Sequence, residues 1–335
     1  MKEYGYSKRA ILRMLSEDAR TPITALAEYA RCSRNTALSN LKLIEEEFGV
    51  RYVIEFNKEI LGLSQRHILK IKYGSKPNLN EIVSLLAEDS TIQFAASTKG
   101  NFDLLIYAES DSGYKYMQWE TALALKLAPY NPVIRPSQII MTHVGFMPLS
   151  DKALQDIDLS KLGLDSIDKA ILLLLNKNSR TGYSEISRKL NITEDKVRYR
   201  FRRITKSGVI KSFTIVMTKL STYYNLAMFV NYRFALGTEL RARKAREHYM
   251  SIDGDMPLIN KFQFLAPSSG SYRFFILGCF ESKNDSFING VIKHKEVFKG
   301  DSPSISYAKI ETIIKGYLPV RNVDIRKDYN IVKWE

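Results

Sequence analysis

The chain has 335 residues, with 50 Lys and Arg against 36 Asp and Glu, and a formal net charge of +14. An apolar fraction of 45% and a charged fraction of 26% are typical of a globular protein with two or more domains. No apolar run approaches the ~20 residues that cross a bilayer, and the first residues lack the apolar core of a signal peptide. Two distant cysteines, Cys32 and Cys279, exclude a disulfide framework and a cysteine zinc site, so we expect a cytoplasmic protein with unpaired thiols.

Residues 6–53 are predicted to form three short helices and a strand, the pattern of a winged helix-turn-helix. Ser33 is a natural N-cap of the third helix, whose apolar residues at Ala37, Leu41 and Ile44 face inward. Its outer face then exposes candidate DNA contacts before three consecutive acids at 45–47: Arg34, Asn35, Ser39 and Lys42. Because carboxylates repel a phosphate backbone, either only the first turn of this helix touches DNA or the whole copy binds weakly.

Residues 67–144 alternate between strand and helix patterns in the order βαββαβ, which is that of a ferredoxin-like sandwich. Strands are predicted at 67–73, 91–98, 102–109 and 133–144, and helices at 79–87 and 114–128. A turn at 99–101 joins the two central strands. Residues 146–160 are interpreted as a linker.

Residues 164–211 repeat the winged-helix pattern with far more positive charge. Residues 161–211 hold 13 Lys and Arg against 5 Asp and Glu, a balance of +8 that exceeds half of the net charge of the chain. Thr193 is a natural N-cap of the third helix, in which Val197, Phe201 and Ile204 face inward. A solvated charged helix is the alternative interpretation. The coincidence of the charge with the helix that this motif lays in a major groove favours DNA.

The outer face of this helix supplies the candidate DNA contacts. Arg198, Tyr199 and Arg202 are predicted to approach base edges, and Arg203, Lys206 and Lys211 to contact phosphates. The full set of predicted contacts in this copy is Arg180, Lys196, Arg198, Tyr199, Arg200, Arg202, Arg203, Lys206 and Lys211.

A shift of 160 residues superposes the two winged-helix patterns, and a second βαββαβ block follows the second one, which indicates a duplicated chain. In that block we expect strands at 227–235, 259–265, 272–280 and 305–317, helices at 239–251 and 285–297, and a turn at 267–270. Because each sheet carries helices on one face, the two free faces are expected to pair. The predicted fold class is α+β, with winged helices at 1–56 and 161–217, ferredoxin-like domains at 57–145 and 218–320, and a tail at 321–335.

These patterns resemble the Lrp/AsnC (feast–famine) transcription factors. The resemblance rests on Leu164-Asp165-x-x-Asp168-x-x-Ile171-Leu172, Asn178-Ser179-Arg180, Val197-x-x-Arg200-x-x-Arg203-Ile204 and Gly208-Val209-Ile210, together with Gly100-Asn101-Phe102-Asp103. It implies a sequence-specific DNA-binding regulator whose single chain mimics the dimer of the family and self-associates further. It also implies an amino-acid effector near the hairpin, for which only Gly100 and Asp103 are carried over. A hairpin glycine with positive φ is the alternative reading of Gly100.

Enzymatic alternatives find little support in the sequence. It has no dinucleotide-binding glycine motif, phosphate-binding loop or zinc-protease motif, so we expect no catalytic residue, metal or cofactor. His67 and His143 could approach each other across one sheet, but four scattered histidines do not define a site. Sirohaem decarboxylases resemble the same family in both domains and are the main enzyme alternative, although the positive charge of the second winged helix argues against them. A non-specific architectural DNA-binding protein is a further alternative.

Overall fold

The computed structural model describes residues 6–139, 147–219, 224–231, 262–270, 274–280 and 304–319. The helices predicted at 239–251 and 285–297 and the side chain of His143 lie outside these residues. Within them, no helix is long and apolar enough to cross a membrane.

The first winged helix consists of α1 (Tyr6–Glu17), α2 (Ile23–Tyr29), α3 (Arg34–Phe48) and β1 (Val50–Phe56). The Ser33 hydroxyl caps α3 by accepting a hydrogen bond from the Thr36 amide at 3.1 Å. The helix ends at Gly49, which has a φ of 58°. The apolar residues expected to face inward are buried, so the three helices close on one core.

The second winged helix consists of α7 (Ser166–Lys177), α8 (Tyr183–Leu190), α9 (Glu194–Lys206) and β6 (Ile210–Met217). Thr193 caps α9 as expected, through its hydroxyl and the Lys196 amide. Residues 147–160, part of the segment interpreted as a linker, contain α6 (Asp151–Asp156) and bury Leu149, Leu154 and Leu159 against the second winged helix.

The two winged helices are joined to each other through their wing strands. β1 and β6 pair antiparallel from Val50 opposite Met217 to Phe56 opposite Ile210, and the short β11 (Leu318–Pro319) pairs with the other edge of β6. Further backbone bonds cross the junction, among them one from the Ala19 amide to the Phe213 carbonyl and one from the Ser179 amide to the Tyr52 carbonyl, both 2.9 Å. Since Ala19 and Ser179 are 160 residues apart, each copy contacts the other in the same way, as in a two-fold dimer.

The α/β blocks form two four-stranded sheets with the same strand order. The first contains β2 (Gln65–Tyr73), α4 (Leu79–Leu86), β3 (Ile92–Gly100), β4 (Leu104–Ser110), α5 (Gly113–Leu127) and β5 (Pro132–Ile139). The second contains β7 (Tyr224–Asn231), β8 (Phe262–Gly270), β9 (Phe274–Phe280) and β10 (Ser304–Lys315). The orders β3-β4-β2-β5 and β8-β9-β7-β10 are those of ferredoxin-like sheets. The α+β fold class is therefore confirmed.

The two sheets join edge to edge, which the sequence did not predict. β10 pairs with β3 and β5 pairs with β8, so the eight strands close into one barrel. The turn predicted at 267–270 was wrong for this reason: β8 continues to Gly270 because residues 268–270 pair with β5. The barrel interior is filled by large buried side chains: Phe94, Phe102, Tyr107, Phe229 and Phe275. Closure removes the exposed strand edges of both sheets.

Candidate nucleic-acid interface

The orientation of α9 is set by its inner face. Val197 and Ile204 are fully buried, and the Phe201 ring packs edge-on against Tyr183 at 5.3 Å and parallel to Phe213 at 6.1 Å between ring centres. Because residues three and four apart share one side of a helix, the positions between these three lie on the flanks and the outer face.

The outer face of α9 is basic and exposed. It carries Lys196, Arg198, Tyr199, Arg202 and Lys206, and the Tyr199 ring is 65% exposed. Arg198 forms an ion pair with Glu194 at 2.5 Å, and its guanidinium lies 5.2 Å from the centre of the Tyr183 ring. In the part of the chain that the structure describes, the side chains of Lys196, Tyr199, Arg202 and Lys206 form no hydrogen bond or ion pair. They are available to phosphates and base edges.

Two of the predicted DNA contacts, Arg200 and Arg203, form ion pairs with carboxylates of the protein. The Arg200 guanidinium donates to Asp165 at 2.6 and 2.8 Å and to Asp168 at 3.1 Å, and Arg203 pairs with the same two carboxylates. The hydrogen bond from Arg200, followed by that from Arg203, lowers the pKa of Asp165 below its ordinary value. Asp168 is completely buried and closes the capping box of α7. This acid–arginine cluster fixes α9 to the start of α7, so both arginines act in the fold.

Arg180 and Lys211 also have partners within the protein. The Arg180 guanidinium donates to the Thr21 carbonyl at 2.8 Å and lies 5.0 Å from the centre of the Tyr52 ring, at the junction of the two winged helices. Lys211 pairs with Glu55 at 2.8 Å, while its side chain stays 55% exposed. Arg180 is thus a junction residue whose acceptor the neighbouring copy supplies, and its role as a DNA contact stays a prediction.

In the first winged helix, α3 exposes the predicted contacts Arg34, Asn35, Ser39 and Lys42. It also exposes Leu38 and Leu43, at 45% and 46%, which the sequence interpretation passed over. Glu46 and Glu47 are exposed as well, whereas Glu45 accepts a hydrogen bond from the Tyr52 hydroxyl. The outer face of α3 is thus partly apolar and acidic at the positions where α9 is basic.

The predicted effector residues have structural roles. Gly100 has a φ of +150°, and a Cβ at this position would lie 2.8 Å from the Tyr307 carbonyl oxygen, because β10 crosses here to close the barrel. The Asp103 carboxylate accepts from the Lys72 ammonium at 2.9 Å and from the Tyr73 amide at 3.0 Å. These contacts support the alternative reading of Gly100, and an effector role for the two residues stays a prediction.

The buried histidine of the first sheet, His67, packs against an aromatic ring. The His67 ring stacks on Tyr116 with 3.4 Å between centres, and burial lowers its pKa to about 4. Among the described residues, no group of three histidine, cysteine or acidic side chains could hold a metal ion.

The geometry defines a class of protein: two winged helices, joined through their wings, on a barrel closed by two ferredoxin-like sheets. The profile of the AsnC-type helix-turn-helix domain matches residues 164–204. Residues 164–204 are therefore similar to the AsnC-type helix-turn-helix domain, which supports the resemblance to the Lrp/AsnC regulators drawn from the sequence.

Individual relatives support this assignment over part of the chain. An uncharacterized HTH-type transcriptional regulator of Pyrococcus horikoshii is 43% identical over 70 residues, which are 21% of this chain and 44% of that protein. The HTH-type transcriptional regulator LrpB of Bacillus subtilis is 39% identical over 67 residues, 20% of this chain and 45% of its own. The chain thus spans less than half the length of these relatives.

Solved structures of a sirohaem decarboxylase resemble the chain over nearly its whole length. The sirohaem decarboxylase NirDL superposes with a TM-score of 0.55 over 97% of this chain and 98% of its own, at 12% identity. Identity at this level shows a shared fold.

Proposed function

We propose that this protein is a DNA-binding transcriptional regulator in which the second winged helix makes the main contact. The observation that carries the proposal is the outer face of α9, where four cationic side chains surround an exposed tyrosine on the helix that a winged helix lays in the major groove. The match of residues 164–204 to the AsnC-type domain supports the same conclusion.

The side chains of α9 fall into three groups, according to where they point and which partners they already have within the protein. Arg198, Tyr199 and Arg202 are proposed to read base edges, since arginine pairs bidentately with guanine and tyrosine can donate or accept. Lys196 and Lys206 are proposed to contact the flanking phosphates. Arg200 and Arg203 hold the helix at the angle that these contacts require, and Lys211 reaches phosphate only by sharing its ammonium with Glu55.

The two copies need not read the same sequence. α3 offers Arg34 and Asn35 in its first turn, together with Ser39 and Lys42, while Glu46 and Glu47 oppose a phosphate backbone at its other end. We therefore propose an asymmetric operator, in which one half-site is bound strongly through α9 and the other weakly through the first turn of α3.

A footprint on the DNA upstream of the gene for this protein tests the proposal. The full chain is titrated on that fragment and on a shuffled fragment of equal length, with and without a mixture of amino acids. One strongly protected half-site beside a weak one is expected on the native fragment. Two identical protected half-sites would contradict the asymmetry, equal binding to both fragments would favour an architectural protein, and a shift of affinity with amino acids would support an effector.

The enzyme alternative is tested on the same preparation. The fold likeness to a sirohaem decarboxylase is the one observation in its favour, and identity of 12% does not extend to activity. A visible absorption spectrum of the purified protein, before and after addition of an iron tetrapyrrole, is expected to show no bound pigment. Bound tetrapyrrole together with failure to shift DNA would replace the regulator by the decarboxylase. Light scattering on the same sample measures whether chains associate further.

A further inference from the structure

Arg20 belongs to the first winged helix but lies among the aromatic rings of the second. It follows α1 in the loop before α2, and its Nη1 donates to the Ser179 carbonyl at 2.9 Å. Its guanidinium carbon lies 5.3 Å from the ring centres of both Phe201 and Phe213 and 5.9 Å from that of Tyr183. Three rings at these distances form an aromatic cage in which a cation is attracted by their electron-rich faces.

The cage is directly connected to the proposed DNA-reading face. Phe201 lies near the middle of α9 and contacts both other rings of the cage, Tyr183 and Phe213. The Arg198 guanidinium lies over the Tyr183 ring. Thus Arg20 of one copy contacts the rings that seat the recognition helix of the other, one ring away from a predicted base-reading arginine.

The matching arginine of the second copy has no such cage. Arg180 lies 160 residues after Arg20, and its guanidinium also donates to a backbone carbonyl of the other copy, that of Thr21 at 2.8 Å. Its guanidinium contacts one ring, that of Tyr52. By the reciprocal backbone bonds Phe213 corresponds to Tyr52, and the positions that correspond to Tyr183 and Phe201 are Ile23 and Leu41, both aliphatic. Both arginines therefore connect the two winged helices. In the described part of the chain, the aromatic cage surrounds only Arg20.

We propose that Arg20 is a positioning residue for α9, through which the first winged helix braces the DNA-reading helix of the second. This proposal rests on the proposed DNA-binding function for its consequence, but the brace itself is a property of the free protein. It gives the weakly charged first copy a task other than reading DNA. A cation–π contribution of about 0.5–2 kcal/mol corresponds to a loss of roughly 2- to 30-fold in specific affinity when Arg20 is removed.

The first experiment measures the brace without DNA. Amide hydrogen exchange is followed over residues 194–206 in the full chain, in Arg20→Met and in the matched control Arg180→Met. Each variant loses one carbonyl hydrogen bond and one cation–ring contact at the junction, so a difference between them isolates the two further rings, Tyr183 and Phe201, that Arg20 but not Arg180 contacts among the described residues. Faster exchange in α9 for Arg20→Met than for Arg180→Met is expected. Equal exchange in the two variants, or no change in either, would overturn the proposal.

A double-mutant cycle sharpens the result. Phe201→Leu gives α9 the residue that α3 has at the corresponding position, Leu41. If Arg20 acts through this ring, Arg20→Met adds little further exchange in the Phe201→Leu background. Additive effects would overturn the proposal. Should Arg20→Met fail to fold, Arg20→Lys retains the charge, loses the planar guanidinium and is expected to show a smaller change of the same sign.

The second experiment measures DNA affinity and its salt dependence. Because Arg20 is proposed to act through Phe201, Arg20→Met should weaken binding to the specific site with an unchanged slope of log affinity against log salt. A slope reduced by about 0.9 would show direct phosphate contact and overturn the positioning role. The wild-type chain could fail to bind DNA while Arg20→Met still accelerates amide exchange in α9. That result would contradict the proposed function and support the positioning role of Arg20.

Discussion

The two winged helices share a backbone pattern and differ in how they hold and expose their third helix. α9 is locked to α7 by the cluster of Asp165, Asp168, Arg200 and Arg203, whereas the corresponding positions in the first copy are Gly5, Lys8, Asn40 and Leu43. On the outer face, Arg198, Tyr199, Arg202 and Lys206 correspond to Leu38, Ser39, Lys42 and Glu46. The inward positions of the third helix are apolar in both copies, and both copies fold.

This comparison separates the requirements of the fold from those of DNA binding. Ala37, Leu41 and Ile44 in α3 have the same inward spacing as Val197, Phe201 and Ile204 in α9, and that spacing is enough to specify three packed helices. Charge on the remaining positions is free to change because solvent covers it. A duplicated chain can therefore keep two winged helices while one of them specialises.

The largest expected effect concerns the cluster that locks α9. Arg200→Ala removes a side chain that is 12% exposed and leaves the buried Asp168 carboxylate with Arg203 alone. Breaking a buried pair from one side costs about 3–5 kcal/mol, and since one arginine remains, about 2–4 kcal/mol is expected. Urea unfolding of the full chain measures it. Asn40→Ala, the corresponding change in α3, loses one hydrogen bond to Ser7 and should cost about 1 kcal/mol. Equal losses would mean that both third helices are held alike.

The next effect concerns base contact. Arg202→Ala should reduce affinity for the specific site by about 1–3 kcal/mol and relax the base preference at one position, because arginine reads guanine through two hydrogen bonds. Lys42→Ala, its counterpart in α3, should cost less than about 0.5 kcal/mol. Fluorescence anisotropy on specific and random duplexes distinguishes the two. If Arg202→Ala weakens both duplexes equally, Arg202 contacts phosphate.

A smaller effect compares charge at the ends of the two helices. Lys206→Ala should lower the salt slope of binding by about 0.9 without changing sequence preference, since one phosphate contact is lost. Glu46→Lys, at the corresponding position of α3, should raise the slope by about the same amount. A slope unaffected by Glu46→Lys would place the end of α3 away from DNA and leave only its first turn as a contact.

The smallest effect is the pH dependence of the stability that the acid–arginine cluster provides. The pKa of Asp165 is lowered by Arg200, so the ionised carboxylate stabilises the fold at pH values above its ordinary pKa of about 4. This stabilisation is lost as the pH falls through the lowered pKa. Because the Asp165 side chain is 48% exposed, the effect is modest. Urea midpoints measured from neutral pH into the acid range should fall less steeply for Asp165→Asn than for the wild type or for Asp156→Asn, a surface control. Parallel curves would show that Asp165 does not contribute to the loss of stability in acid.

The sequence predicted the elements well because their signals are local. The cap at Ser33, the cap at Thr193 and the inward spacing of Val197, Phe201 and Ile204 all lie within one helix and its flank. The closure of the barrel was missed because a strand pattern does not state which strand will be its neighbour across 130 residues. Gly270 was read as a turn for that reason, although β8 needs it for pairing with β5.

The candidate site was predicted in part for the same reason. The spacing of α9 predicts which side chains project outward, and the structure exposes Lys196, Arg198, Tyr199, Arg202 and Lys206. The spacing does not show that Arg200 and Arg203 contact two carboxylates that lie 32–38 residues earlier in the chain. The contacts of Arg20 were missed altogether, since its aromatic surroundings lie in the other copy.

The pairing of β1 with β6 has a consequence for how the protein responds to dilution. In a regulator built from two separate chains, the paired state is lost as the protomer concentration falls below the dimer dissociation constant. Here both wing strands belong to one polypeptide, so the pairing is intramolecular and its effective concentration is set by the connecting barrel. The pair of winged helices therefore remains assembled however dilute the protein is.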